Sequence, residues 1–415
     1  MRRLPLIGFL TAHGVSAAGS RLTLVALPWL VLSTTGSATQ TGLVAFVELS
    51  LYVAASAFGA PLVDRFGRRR VAVGSQLISA ATVACVPLLF DGGHLAFSGL
   101  LGIVAVAGLA QGIASSATHV LLPDVIEAAD ASMERSLSVF DGIDRLSTLL
   151  AAPAAGVLIA WMGAVNVLWL DAASFLLSAA LLASFARTPG KAPSTKDAEP
   201  YLTALAKGAR YMFGDRLLVV LCVMLTFTNM ASQAFTVVFV PVWIRDNFGD
   251  PAMLGMIAGS FGVAAVCGNV LFTWLGPKLP RRWTFAICFL IAGSPRFFAM
   301  AFTDDIAVVL AVSFASGLAT ASLNPIISAV MFARIPEELR ARVLGLSGAL
   351  SWVGIPLGAL LGGLAVSGFG PSGALLAGGL LYLVATLSPF VQGIWRGMDR
   401  GDEPVREREL ARTAV

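Results

Sequence analysis

Seven acidic or basic side chains lie inside long apolar runs of this sequence. On insertion scales, an Asp or Arg at the middle of an apolar helix in a bilayer costs about 2.5–3.5 kcal/mol. Such a charge must therefore pair with an opposite charge or face a water-filled cavity, and each is a candidate for proton binding or ion pairing. The seven residues are Arg21, Glu48, Asp141, Asp144, Arg145, Asp171 and Arg296.

Arg21 and Glu48 fall at similar depths in the first two runs. Arg21 precedes the end of its run by about 12 residues, and Glu48 follows the start of the next run by about nine. At 1.5 Å per residue, both lie roughly 13–18 Å from the same end, so an Arg21–Glu48 pair is geometrically feasible. In the functional interpretation, Glu48 takes up a driving proton and Arg21 is its release partner. The alternative is a permanent structural ion pair.

Asp141, Asp144 and Arg145 share two turns of one predicted helix. Asp141 and Asp144 are three residues apart on one face, and Asp141 and Arg145 are four apart, where they can pair locally. A role in gating or proton coupling competes here with solvated charges at a helix end.

A structural role is expected for the remaining titratable groups in the runs. These are Asp171 and Arg296 near the outer ends of their helices, the histidines His13 and His119, and the cysteines Cys85, Cys222, Cys267 and Cys288. The cysteine and histidine spacing predicts neither a disulfide framework nor a metal site.

The elements that carry these charges are the apolar runs themselves. The chain has 415 residues, of which 57% are hydrophobic and 13% charged, and its mean hydropathy is +0.83. A soluble protein carries about 25% charged residues, so the composition predicts an all-α integral membrane protein. A spanning helix needs about 20 apolar residues, and we expect twelve spans. They cover residues 5–33, 39–62, 71–90, 96–121, 138–162, 165–186, 216–244, 252–275, 283–302, 306–333, 343–367 and 372–395.

The spans divide into two sets of six. The stretch Arg135–Gly163 lines up with Arg342–Gly370, with an arginine and two glycines at matching positions. This repeat predicts two pseudo-symmetric bundles related by an axis along the membrane normal. The predicted domains are an N-terminal six-helix bundle (1–187), a cytoplasmic linker with an amphipathic helix (188–215), a C-terminal six-helix bundle (216–396) and a cytoplasmic tail (397–415).

The positions of Lys and Arg predict the orientation. If the N-terminus is cytoplasmic, Arg245 is the basic residue of the outside loops, and Arg21, Arg145 and Arg296 lie within spans. All the other basic residues, of 28 in total, then fall in inside segments. This asymmetry predicts that both termini are cytoplasmic. Because the basic residues flank the spans, nucleic acid is not expected as a partner.

The loop between the second and third spans reads APLVDRFGRR from Ala60 to Arg69. It resembles the G-x-L-x-D-R-x-G-R-[RK] motif of the major facilitator superfamily, with Ala60 in place of the first glycine. Four further stretches resemble the bacterial drug and siderophore exporters of that superfamily, including macrolide-efflux proteins and the enterobactin exporter. They are Leu22–Ala45, Leu121–Ile126, Leu170–Ala179 and the amphipathic run before the seventh span.

The charged loop has two interpretations. As a cytoplasmic gate, its Asp64 faces the start of the eleventh span near Arg342 and Val343, and one of its arginines pairs with Asp124, so that the two halves are held together. As a topology signal, its arginines orient the chain and contact lipid phosphates. The gate candidates are Asp64, Arg65, Gly67, Arg68, Arg69 and Asp124.

Small residues predict a close helix approach in the eleventh span, and two other positions depart from the antiporter pattern. Gly354, Gly358 and Gly362, four residues apart, favour a close helix approach. The fifth span has Ala151–Gly156 (AAPAAG) where exporters of the superfamily often carry a GPxxGG-like motif. Gly108 stands where many drug antiporters carry an arginine. If protons drive this chain, Arg21 or Arg145 must supply that role.

Neutral polar and aromatic side chains are the candidates for binding a drug-sized ligand. The polar candidates are Asn229, Gln233 and Thr236 at helical spacing in the seventh span, and Asn324 before Pro325. The alternative for these groups is hydrogen bonding between helices. The aromatic candidates are Trp29, Phe46, Phe235 and Phe239, for which lipid-facing positions are the alternative.

The resemblance implies a secondary transporter that exports an amphiphilic drug or secreted metabolite by alternating access, with proton antiport as the driving reaction. The sequence carries no GxxxxGK[ST] phosphate loop, and we expect neither an enzyme nor a bound cofactor. We expect a monomer in the bacterial inner membrane, in contact with lipid. The alternatives are a siderophore or lipid carrier, a proton symporter for uptake, and a receptor or assembly protein that does not transport.

Overall fold

A computed structural model describes residues 3–185 and 201–402 of the chain. Within these two ranges every regular element is a helix. Eleven helical segments there are long and apolar enough to cross a membrane. Residues 188–200 of the predicted linker (188–215) and residues 403–415 of the predicted tail (397–415) lie outside the described residues.

The first half of the chain follows the six predicted spans closely, with one short helix added in the charged loop. The helix of the fourth predicted span continues beyond residue 121 to Ala128, so Asp124 is part of this helix. The helices are α1 (Leu4–Thr35), α2 (Ala38–Phe58), α3 (Ala60–Phe66), α4 (Arg68–Asp91), α5 (Phe97–Ala128), α6 (Met133–Met162) and α7 (Ala164–Phe185).

The second half begins with the expected amphipathic helix, α8, and its spans are more broken. A π-helical turn (Phe235–Phe239) joins α9 to α10, and 3₁₀ turns occupy Gly276–Lys278 and Gly393–Asp402. The helices are α8 (Tyr201–Gly214), α9 (Arg216–Ala234), α10 (Val240–Asn247), α11 (Ala252–Leu275), α12 (Arg281–Ala292), α13 (Ser294–Phe302), α14 (Ile306–Thr320), α15 (Leu323–Arg334) and α16 (Glu337–Val391).

Proline and glycine explain these breaks. Pro241 and Pro295 stand at the first turns of α10 and α13, where the missing backbone N–H of proline does no harm. Gly370 interrupts α16 at φ 72° and ψ 169°, a left-handed conformation that favours glycine. The eleventh and twelfth predicted spans are therefore the two parts of α16 on either side of Gly370.

The chain forms two compact units. The first is built from the described residues of Met1–Ser194, Thr236–Gly259 and Ala359–Gly368. The second is built from those of Thr195–Phe235, Ser260–Gly358 and Phe369–Val415. The domain boundaries expected from the sequence stay a prediction.

Apolar packing and close backbone contacts hold the helices of the first unit. Phe9, Leu121 and Phe140, each at most 2% exposed, belong to one buried cluster that joins α1, α5 and α6. A Cβ atom added at Gly108 of α5 would collide with the backbone oxygen of Glu48 in α2. The two helix backbones are therefore in direct contact beside an intramembrane carboxylate.

The second unit contains the close approach that glycine spacing predicts. A Cβ atom at Gly354 of α16 would collide with the backbone oxygen of Thr226 in α9, and one at Gly358 with that of Met230. The expected approach of the eleventh span to another helix is confirmed at these two positions.

Candidate functional site

Two carboxylates are buried together in the first unit. Glu48 of α2 is 7% exposed and Asp171 of α7 is 0% exposed, and the two interact electrostatically. The Asp171 carboxylate accepts hydrogen bonds from the hydroxyl of Thr23 at 2.5 Å and from that of Ser174 at 3.2 Å. Hydroxyls of α1 and α7 thus stabilise the Asp171 carboxylate, and Glu48 of α2 lies within electrostatic range of it.

A second group of titratable side chains surrounds Asp144 in the same unit. The imidazole Nε2 of His13 lies 3.2 Å from Asp144 Oδ1, and the His13 ring stacks on Phe140 at 3.9 Å between centroids. Arg21 and His119 also interact electrostatically with Asp144. The Asp144 side chain is 40% exposed and that of His13 is 15% exposed, so this group is more open to solvent than Glu48.

The two ion pairs that the sequence makes feasible for Arg21 and Arg145 are not the contacts that these arginines make. Across residues 3–185, no Arg21–Glu48 ion pair forms, because Arg21 is exposed and interacts with Asp144 while Glu48 is buried. The local pair between Asp141 and Arg145 is likewise not formed in that range, and both side chains are exposed. Depth along a helix therefore did not identify the partner of Glu48.

Sequence reasoning assigned His13 to the core and missed its contact with Asp144. Its ring does pack on an aromatic neighbour, as a core histidine does, but one ring nitrogen faces a carboxylate. The two residues lie on α1 and α6, so no spacing along the chain reports their contact. A histidine within an apolar run is the signal that the sequence offers.

Among the described side chains of the charged loop, Arg68 forms a firm ion pair. Arg68 Nη1 donates to both carboxylate oxygens of Asp124, at 2.7 and 2.6 Å, and the two side chains are 26% and 20% exposed. Gly67, at φ 90°, turns the chain between α3 and α4. Arg69 donates to the backbone oxygen of Ala183, whereas Arg65 is exposed.

The position of this pair changes its interpretation. Arg68 and Asp124 belong to the same unit, so the pair fastens the start of α4 to the end of α5. The expectation that such a pair by itself holds the two halves together is wrong for Arg68, because its partner lies within its own unit. The side chain of Asp64 lies outside the described part of the structure.

The ligand-binding candidates are distributed over both units. Asn229 Nδ2 donates to the backbone oxygen of Ser351 at 3.1 Å, so this amide makes the helix-to-helix bond that was the alternative to ligand binding. Trp29, Phe235 and Phe239 are 3–7% exposed, so they do not face lipid. Phe46 and Gln233 are partly buried, and Thr236 and Asn324 are exposed. Asn229, Gln233, Phe235 and Asn324 are in the second unit, and Trp29, Phe46, Thr236 and Phe239 are in the first.

Comparison with known proteins identifies the family. The sequence model of the Major Facilitator Superfamily matches residues 9–232 and 223–414. The chain belongs to the major facilitator superfamily. It is therefore a multi-pass membrane transporter rather than an enzyme, and the expected fold class, all-α with the major facilitator architecture, is confirmed.

Two similar relatives within this superfamily are named as drug pumps. The multidrug efflux pump Tap of Mycobacterium tuberculosis (strain ATCC 25618 / H37Rv) is 30% identical over 366 residues, which cover 87% of each chain. The multidrug efflux pump Tap of Mycolicibacterium fortuitum is 27% identical over 414 residues, which cover 97% of this chain and 99% of that protein.

Solved structures of the superfamily share the fold at low identity. A bacterial homologue of the human lysosomal transporter Spinster, inward-facing and unoccupied, matches with a TM-score of 0.76 and 14% identity over 97% of this chain and 99% of that one. A D-xylose–proton symporter matches with a TM-score of 0.71 and 16% identity over 94% and 98%. These similarities concern the fold alone.

This superfamily member departs from the drug-antiporter pattern at Gly108 for a visible steric reason. Any side chain at that position would collide with the backbone of Glu48, so α5 has no room there for an arginine. In the described ranges, no group of three or more His, Cys, Asp or Glu residues can hold a metal ion.

Proposed function

We propose that this major facilitator protein exports amphiphilic, drug-like molecules across the bacterial inner membrane. Its similarity to the Tap multidrug efflux pumps over 87% of the chain carries the proposal. The basic residues beside the spans support an orientation with both termini in the cytoplasm. The protein works as a monomer, surrounded by lipid, and needs no cofactor.

The proposed driving reaction is proton antiport by alternating access. Two acidic groups of the first unit support it: the buried pair Glu48–Asp171, and Asp144 beside His13. Carboxylates inside a membrane protein are expensive to retain unless they bind an ion or another charge. Protons entering from outside bind these carboxylates in one state and leave to the cytoplasm in the other, while the substrate moves outward.

Arg21 and Arg145 complete the proposed coupling set, together with Asp141. Arg21 interacts with Asp144, so it is positioned to respond when Asp144 gains or loses a proton. Arg145 and Asp141 lie within one turn of Asp144 on α6, where their charges affect the same carboxylate through space.

The charged loop is proposed to act as part of the cytoplasmic gate. The ion pair between Arg68 and Asp124 fixes the loop that contains Asp64 and Gly67 to α5. Replacing Asp64 by Asn is expected to slow transport without changing which substrates are carried. Unchanged turnover in this variant would leave the loop as a topology signal.

The proposed substrate contacts are the exposed and partly buried polar groups Gln233, Thr236 and Asn324, together with the partly buried ring of Phe46. Trp29, Phe235 and Phe239 stay aromatic candidates, although their side chains are buried in this structure. Asn229 contributes through its bond to Ser351 by holding α9 against α16.

Everted membrane vesicles test this function directly. The lumen of such a vesicle corresponds to the outside of the cell, so an acidic lumen should drive uptake of a fluorescent amphiphilic dye, and a protonophore should abolish it. Dye release under the same gradient would instead support proton symport for uptake. Proton-coupled export would be contradicted if the pH gradient did not change the flux of any substrate in a panel of drugs, siderophores and lipids.

A further inference from the structure

Arg296 of α13 lies between aromatic rings in the second unit. Its guanidinium carbon is 4.9 Å from the ring centroid of Phe235 and 5.1 Å from that of Phe261. Phe235 in turn packs on Phe297, with 4.7 Å between centroids. The cation is therefore held by the π faces of two phenylalanines, which are attractive but provide no negative charge.

No acidic partner balances this charge in the described part of the chain. Arg296 makes no ion pair with any carboxylate there, and its Nε atom is buried without a hydrogen-bond partner. Tyr382 interacts with Arg296 electrostatically, and its hydroxyl is already hydrogen-bonded to Ser232. The Arg296 side chain is partly buried, and withdrawing an unpaired cation from water is unfavourable even in part, so this arrangement is better suited to a state with an anion bound.

The backbone around Arg296 adds to the positive potential. The span breaks at Gly293, and α13 starts at Ser294, so that Arg296 lies in the first turn of a nine-residue helix. The N-terminus of a helix attracts anions and disfavours a cation in its first turn. A Cβ atom at Gly293 would collide with the ring of Tyr382, so the tyrosine packs directly against the helix break.

Ser294 is a second unpartnered donor in this turn. The residue is 2% exposed, and its hydroxyl oxygen has no hydrogen-bond partner within the described residues. A buried hydroxyl without a partner is costly, as the buried guanidinium nitrogen is. One turn of helix thus contains two polar groups that both lack an acceptor, and both can donate to an anion.

We propose that Arg296 and the first turn of α13 bind a carboxylate group of the transported molecule. A guanidinium matches a carboxylate through two parallel hydrogen bonds, and a single negative charge balances the single charge of Arg296. Phe261, which is partly buried, offers apolar surface to the rest of the ligand, and Phe235 is buried beside Arg296. This inference rests on the proposed export function and defines its substrate class as amphiphiles that carry one carboxylate.

Binding of benzoate tests the site without any transport step. Radiolabelled benzoate is titrated onto the purified full chain in lipid nanodiscs. The wild type should bind it saturably, Arg296→Gln should bind at least tenfold more weakly, Ser294→Ala severalfold more weakly, and Arg245→Gln as the wild type does. Absence of binding to the wild type, or equal binding by Arg296→Gln, overturns the proposal.

Thermal unfolding of the same samples separates binding from a structural role. Because a ligand that binds only the folded state stabilises it, benzoate should raise the melting temperature of the wild type and leave that of Arg296→Gln unchanged. Without benzoate, Arg296→Gln should be at least as stable as the wild type, since it removes an unpaired, partly buried charge. The proposal is overturned if Arg296→Gln has a lower melting temperature than the wild type and benzoate does not raise the melting temperature of the wild type. Arg296 would then have a structural role.

A matched pair of dyes tests the substrate class. A xanthene dye with a free benzoate carboxylate and the methyl ester of the same dye are offered to everted vesicles. Arg296→Gln should lose export of the acid by at least tenfold and retain export of the ester. Equal loss of both dyes in Arg296→Gln overturns the assignment to a substrate carboxylate. The assignment is also overturned if chloride displaces benzoate and the wild type exports the acid and the ester equally. If the wild type exports neither dye, the proposed export function fails, and benzoate binding still decides the site.

Discussion

The imidazole Nε2 of His13 lies 3.2 Å from Asp144 Oδ1 and thereby joins α1 to α6 in the first unit. The His13 ring is fixed by stacking on Phe140 at an interplanar angle of 16°. Phe140 also makes an edge contact with His119, with ring centroids 5.4 Å apart. Because imidazole and carboxylate groups both exchange protons, a pair with a fixed ring and an accessible carboxylate is suited to passing a proton between helices.

Replacing Asp144 by Asn should uncouple transport from the proton gradient. The amide keeps the size of the side chain and the packing of His13 on Phe140, but it cannot take up a proton. Dye uptake driven by an acidic lumen in everted vesicles should fall at least tenfold, while exchange of labelled for unlabelled dye continues.

The exposed Glu134 on the same helix provides the matched control. Glu134→Gln should behave as the wild type in both assays. Full gradient-driven uptake by Asp144→Asn would remove the His13–Asp144 pair from the coupling mechanism.

Replacing Glu48 by Gln should abolish coupled efflux and leave membrane insertion intact. The residue is 7% exposed and interacts with Asp171, so a neutral amide removes a repulsive charge from the interior while it also removes a proton site. Gradient-driven dye uptake should drop to the level seen with a protonophore, at normal expression and melting temperature. Glu338→Gln, an exposed position, should retain full uptake, and normal efflux by Glu48→Gln would exclude Glu48 from the mechanism.

The sequence predicted the spans well because a long apolar run identifies a membrane helix, whichever helices it packs against. It did not predict the break at Gly293. A glycine followed by Ser and Pro within a span is a weak local signal, and the packing of Tyr382 against Gly293 is a contact between distant parts of the chain.

The site was predicted less completely than the fold. Counting residues along a helix gives the depth of Arg21 and Glu48 but not the face on which each lies. Arg21 consequently interacts with Asp144 on α6 instead of Glu48 on α2. The sequence left Arg65, Arg68 and Arg69 open as partners of Asp124, and the structure shows that Arg68 is the one that pairs with it.

The Arg68–Asp124 pair should show thermodynamic coupling in a double-mutant cycle. Arg68→Ala and Asp124→Ala should each reduce the initial rate of dye uptake severalfold, and the double variant should be no slower than either, because all three remove the same contact. Since both side chains are partly solvated, the coupling in the free energy of unfolding should be about 1 kcal/mol or less. Arg70→Ala, at an exposed position of the same loop, is the control. Additive losses in the double variant would show that the two side chains act independently.

Replacing Gly108 by Ala should separate α5 from α2 at the level of Glu48. The added methyl group would collide with the Glu48 backbone oxygen, and backbone atoms cannot rotate away as a flexible side chain can. Overpacking of this kind costs about 1–3 kcal/mol, so the melting temperature should fall. Coupled export should fall with it, because the displaced backbone carries the Glu48 carboxylate.

Gly102 of the same helix is the matched control, since a Cβ atom there meets nothing within 4 Å. Gly102→Ala should leave coupled export unchanged and should raise the melting temperature slightly, because alanine has the better helix propensity. If Gly108→Ala matched Gly102→Ala in both measurements, α2 and α5 would not be in backbone contact at Glu48. The steric reason for the missing arginine at position 108 would then be wrong as well.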